Sequence, residues 1–160
     1  MPLTARMPPF ARRRLTSGEA ALGHEMFGAG LDPGRVRILA VPVWSRAFVG
    51  GPGLMVWPAA ASRLDFAAPD TALSTQAIFV HELTHIWQAQ NGVALLRAKL
   101  RAGDSAQAYA YEIAGQDDFH RLNIEQQAMV VQHAFVASRG GQAPLAAQVY
   151  ADCQPAWRRG

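Results

Sequence analysis

The sequence predicts an α+β domain with a small sheet in its first half and long helices in its second. Three observations carry that expectation. Val36, Ile38 and Ala40 alternate with Arg35, Arg37 and Leu39; an apolar run follows at Leu54-Met55-Val56-Trp57; and two stretches, about Leu73 to Gln90 and about Asn123 to Ser138, repeat apolar residues at helical spacing. With 160 residues, 50% of them hydrophobic and 17% charged, the chain can bury one core and has the composition of a folded domain.

The elements follow in order. Residues 1–14, rich in Pro and Arg, are expected to be a flexible basic arm. Thr16 or Ser17 can cap a helix from about Glu19 to Phe27, with Ala20, Leu22, Met26 and Phe27 facing inward and Gly28 and Gly30 ending it. Asp32-Pro33-Gly34 signals a turn into the first strand, which ends near Pro42. Gly50-Gly51-Pro52-Gly53 reads as a loop before the second strand, which Pro58 closes; residues 59–70 connect it to the first long helix. On that helix Phe79, Leu83, Ile86 and Gln90 share one face, and Ala77, His81, Thr84, His85 and Gln88 another. Asn91-Gly92 stops it, since both residues tolerate the left-handed conformation. A shorter helix is expected over about 94–101, an irregular crossing segment over 107–120, and a stop at Gly140-Gly141 for the second long helix. The domain is expected to span 15–141, with 142–160 as a tail carrying a short helix near 144–150.

Composition excludes several functions. Fourteen of the fifteen cations are Arg, scattered apart from Arg12-Arg13-Arg14 and Arg158-Arg159, without the interleaved aromatics of a nucleic-acid stripe. The net charge of +3 therefore argues for no nucleic-acid partner. No apolar run approaches the roughly 20 residues of a membrane helix, and no membrane partner is expected. Met7-Pro8-Pro9-Phe10 is too short and too Pro-broken for a signal-peptide core, so a cytoplasmic location is the expectation. The single cysteine, Cys153, excludes an internal disulfide and a cysteine-based zinc cluster.

The chemistry concentrates in His81-Glu82-Leu83-Thr84-His85. Histidines four apart on a helix lie one turn apart on one face, so both imidazoles can reach one Zn²⁺ while the glutamate between them points at the water to be activated. With five His and five Glu in the chain, chance supplies only about 0.005 such matches. Catalytic zinc takes a third protein ligand. Position 88 is Gln and position 91 is Asn, which excludes the three-histidine continuation and leaves Glu112, Asp117, Asp118, His120, Glu125 and His133. Glu125 is the best candidate: it lies early on a helix, and Ala128 one turn on is small enough for close helix approach. His133, two turns further, is expected to share that face roughly and to orient the site or a substrate oxygen. Tyr109 and Tyr111 are candidate donors to a developing oxyanion.

The stretches IFVHELTHIWQAQNG, AYAYEIAGQDDF and NIEQQAMVVQHAFVASRGG resemble the small bacterial proteins of the Vgr-related family, over about residues 15–141. That label ties them to type VI secretion and Rhs elements. More distantly, the HExxH motif followed by a Glu-xx-Ala helix resembles the gluzincin-type zincins. The resemblance implies a minimal zincin-like metallopeptidase fold, with a small sheet packed on an active-site helix and a Glu-bearing helix behind. It implies zinc held by His81, His85 and Glu125, with Glu82 as general base. Independently of the resemblance, a nearby donor, Tyr111 or His133, is expected to assist by stabilising the oxyanion. The expected function is a zinc metallopeptidase acting on a peptide or protein, with delivery by a specialised secretion system. The alternative is a zinc-binding accessory or scaffold module of a secretion or phage-tail-like apparatus without turnover. An intact Glu82 favours the enzyme, because a module that only binds needs no base there.

Overall fold

The computed structural model describes residues 5–158. The alternating stretch forms β2 (Arg37–Val41), in which Ile38 and Ala40 are buried and their neighbours only partly so. Asp32 sets up the turn before it by accepting a hydrogen bond from Gly34 N. The apolar run forms β4 (Leu54–Pro58), parallel to β2, with Ile38 beside Met55 and Ala40 beside Trp57. Parallel neighbours cannot be joined by a tight turn. The chain instead crosses over through residues 42–47, forms β3 (Phe48–Gly51) beyond β4, and returns as an antiparallel hairpin. Gly53 is required in that hairpin: a Cβ there would lie 2.8 Å from the Arg35 carbonyl oxygen, where Arg37 N donates to Gly53 O.

Both edge strands correct the sequence expectation. β3 contains Gly50 and Gly51, poor strand formers that read as loop, and it forms because β4 offers a pairing edge. The arm expected over residues 1–14 is, from residue 5 onward, part of the domain; residues 1–4 lie outside the described residues. Met7 is buried, and β1 (Arg12–Arg14) pairs antiparallel with β2, giving the sheet order β1-β2-β4-β3. Three successive arginines carry no alternation of polarity, so backbone pairing alone makes this strand. Arg13 also forks onto the fully buried Glu19, which accepts from Thr16 N and Phe66 N as well. Glu19 thereby completes the capping box of α1 (Ser17–Phe27) and ties it to β1.

The core lies between the sheet and α2 (Leu73–Gln90), where Phe66 stacks on Phe79 with ring centroids 4.9 Å apart and Trp57 packs tilted against Phe66 at 4.2 Å. α2 is buried along most of its length because α5 (Ile124–Ser138) also packs on it. Asn123 and Gln126 cap α5 reciprocally, and Ala128 is fully buried. Between the two run α3 (Leu95–Ala102) and α4 (Gln116–Arg121). α4 replaces part of the irregular segment expected over 107–120; six residues are too few to show a period, and buried Phe119 anchors it. The last helix, α6 (Ala147–Cys153), falls later than expected. The tail is packed into the core through Tyr150, Cys153 and Trp157.

Candidate metal centre

His81 and His85 stand on successive turns of α2, and Glu125 faces them from the first turn of α5, where the helix dipole favours a carboxylate. Their ligand atoms lie within 4.8 Å of one another. Nε2 of each histidine is 3.3 Å from the same oxygen, Glu125 Oε2. His81 Nδ1 is 3.0 Å from Gln132 Oε1, and His85 Nδ1 is 2.8 Å from Gln88 Oε1. An amide oxygen only accepts, so each Nδ1 carries a hydrogen and each Nε2 faces the carboxylate, open to a metal or, in its absence, to a second proton that it would donate to Glu125. Three electron-rich atoms this close are stable only around a cation. Two buried carboxylate oxygens, Glu82 Oε2 and Glu125 Oε1, have no hydrogen-bond partner; Lys99 Nζ approaches the latter to 3.4 Å without alignment. Such orphans are rare in folded proteins. The residues therefore fit a metal ion, and a two-imidazole, one-carboxylate donor set suits a borderline divalent metal better than Mg²⁺ or Ca²⁺. Thr84 takes no part, since its hydroxyl donates to Val80 O.

Without metal, a proton must serve as the cation. Burial works against a charged His85, but its bond to Glu125 and the nearby Glu82 and Glu125 carboxylates outweigh that and hold its pKa above the ordinary 6.5. Burial likewise pushes Glu125 up, but hydrogen bonds from His81 and His85 dominate and hold it far below 4.5. A raised histidine stabilises the fold fully below its unfolded value, and this is lost as pH rises through the folded value. A depressed carboxylate stabilises above its unfolded value, and this is lost as pH falls through the folded one. Chelator-treated protein should therefore lose Tm as pH rises above the ordinary histidine value of about 6.5 and through the raised value of folded His85, while metal-loaded protein gains relative to it, because metal and proton compete for His85. Thermal unfolding of both forms across that range checks this. A chelated Tm that climbs with pH would contradict it.

A cavity of about 540 Å³ opens over the cluster, lined by His81, Glu82, His85 and Glu125. β3 lines it with residues 48–50, the crossover loop with Trp44 and Arg46, and α3 with Leu95, Leu96 and Lys99. Tyr109 also lines it, and Arg46 Nη2 donates to Tyr109 OH at 3.4 Å. Tyr111 and His133, expected to assist, do not line this cavity. Tyr111 OH is hydrogen-bonded to His133 Nδ1 at 2.6 Å and to Tyr150 OH at 2.7 Å. Burial and the contact with Tyr150 push the Tyr111 hydroxyl well above its ordinary range, and burial followed by nearby His81 pushes His133 down. The reason is helical pitch. Eight residues past Glu125 is about 80° around the helix, whereas seven is about 20°, so Gln132 and not His133 follows Glu125. Glu112, Asp117, Asp118 and His120 stay outside the cluster, and Asp118 accepts from Ala114 N and Arg121 instead. Arg46, Lys99 and Gln132 had no sequence signal beyond being cavity-sized polar residues; Gln88 showed only its place on the histidine face.

Over an alignment of 136 positions that covers 79% of this chain, it is 30% identical to the type VI secretion system spike protein VgrG2b of Pseudomonas aeruginosa. The solved effector domain of P. aeruginosa VgrG2b superposes with a TM-score of 0.65 at 28% identity, covering 94% of this chain and 84% of that one. This chain is homologous to the VgrG2b effector domain. The likeness supports the Vgr-related resemblance and a shared α+β fold. The match spans only 13% of the VgrG2b spike protein's length. No family model matches the chain.

Proposed function

We propose that this chain is a secretion-system effector domain and a zinc-dependent metallohydrolase of zincin-like, gluzincin type, cleaving peptide bonds. His81, His85 and Glu125 would hold the zinc. The observation that carries hydrolysis is Glu82, buried to 7% exposure in the cavity lining with Oε2 unpartnered. A folded protein gains nothing by burying an unpaired carboxylate next to two histidines unless the oxygen has work to do. When bound, zinc supplies a Lewis acid that polarises the scissile carbonyl and acidifies a water. Glu82 takes the proton from the attacking water and returns it to the leaving nitrogen. Tyr109, held by Arg46, is the hydroxyl that lines the cavity, and we assign it the oxyanion role in place of Tyr111 or His133. β3 is the edge strand that lines the cavity, and an extended peptide can pair with such an edge.

The zinc-holding module without turnover shares the link to a secretion apparatus, and the likeness to VgrG2b supports that link more directly than it supports catalysis. Among the described residues no helix is long and apolar enough to cross a membrane. A peptide library incubated with zinc-loaded wild type and zinc-loaded Glu82→Gln separates the two readings. Cleavage by wild type alone supports the enzyme; cleavage by neither supports the module.

A further inference from the structure

Gln88 is fully buried one turn beyond His85. Its Nε2 donates to Ile124 O at 3.0 Å and to Gln127 Oε1 at 2.9 Å, and Gln127 Nε2 donates to Phe119 O at 3.1 Å. Backbone carbonyls only accept, so this chain of amides has one direction. Both amide hydrogens of Gln88 are spent, its Oε1 must face His85 Nδ1, and that nitrogen must carry the hydrogen. His85 Nε2 is left facing Glu125, open to a metal. The same amide reaches the carbonyl of the residue just before Glu125, so one side chain links a candidate ligand on α2 to the start of the helix carrying the candidate third ligand. Gln132 is different: it is only partly buried, and the bond to His81 is its one side-chain hydrogen bond among the described residues. Water can replace it.

We infer that Gln88, backed by Gln127, is a positioning residue that locks the tautomer of His85 for metal binding. The inference rests on the metal-centre reading above and deepens it. Residues that hydrogen-bond the non-ligating nitrogen of a ligand histidine typically account for about 10–100-fold in metal affinity. The asymmetry between the two glutamines predicts where that loss falls.

Zinc affinity measured against a chromophoric chelator, with imidazole ¹⁵N NMR of the zinc-loaded protein, tests this on wild type, Gln88→Met, Gln88→Glu and Gln132→Met. Gln88→Met should bind zinc about 10–100-fold more weakly and lose the Nδ1–H signature of His85. Gln88→Glu loses both donors but offers His85 Nδ1 an acceptor whichever way its carboxylate turns, unlike an amide freed from its anchors, so zinc affinity should stay within about threefold of wild type while the metal-free protein unfolds at lower temperature. Gln132→Met should also stay within about threefold. Should Gln88→Met fail to fold, Gln127→Met removes one of the two acceptors that hold the Gln88 amide, and about three- to tenfold weaker zinc binding is expected. The inference is overturned if the Gln88→Met protein, or Gln127→Met in its stead, binds zinc as wild type does with the His85 signature intact. It is equally overturned if Gln88→Glu loses as much affinity as Gln88→Met, which would make Gln88 a packing residue between helices. A wild type that binds no zinc would defeat the metal-centre reading itself, a result distinct from either of these.

Discussion

Glu82→Gln should leave a folded, zinc-loaded protein whose peptide hydrolysis falls by about 10²–10⁴-fold, the usual weight of general-base catalysis. The substitution changes the acid–base capacity of one side chain and little else. Glu82 lines the cavity but is not among the three clustered ligand residues, so zinc content should be unchanged. Glutamine has nearly the volume of glutamate, and α2 is buried around this position by Phe79, Val80, Leu83 and Ile86. Replacing a carboxylate that has an unpartnered buried oxygen with a neutral amide removes a desolvation cost, so thermal stability should hold or rise. Loss of kcat with zinc and Tm retained is the signature of a base. Loss of zinc together with kcat would instead make Glu82 part of the metal's support.

Glu125→Ala has the second large effect. It removes the carboxylate whose Oε2 lies 3.3 Å from both imidazole nitrogens, leaving two ligands on one helix. Zinc affinity should fall by at least about 100-fold, and hydrolysis with it. Glu112→Ala and Asp118→Ala should leave zinc affinity nearly unchanged: Glu112 is exposed, and Asp118 is engaged with Ala114 N and Arg121. The contrast is read by equilibrium competition with a chelator. Retention of zinc by Glu125→Ala with loss in either control would move the third ligand into the segment between α3 and α5.

The central elements were legible because their signals are periodic. Val36, Ile38 and Ala40 alternate, Leu73 to Gln90 repeats at helical spacing, and Asn123 stands where a cap should. The HExxH spacing brought His81 and His85 to one face without any knowledge of the fold, and a Glu early on the next long helix was enough to nominate Glu125. What failed to show were features made by tertiary pairing. β1 is three arginines held by a neighbour's backbone, and β3 holds two glycines beside β4. α4 is one and a half turns fixed by Phe119. His133 was misplaced by a single residue of helical phase, which gave its expected position to Gln132. The cavity walls come from the crossover loop and α3, whose approach to α2 no local pattern encodes. Tyr109 could not be preferred over Tyr111, because only the packed structure ties one to Arg46 and the other to Tyr150.

Elemental analysis of protein purified without added metal tests the central claim most directly. Two imidazoles and a buried carboxylate converging within 4.8 Å should retain about one zinc per chain, lose it to a strong chelator, and regain it when zinc is returned. Substoichiometric metal that the chelated protein cannot recover would show that His81, His85 and Glu125 meet for structure alone.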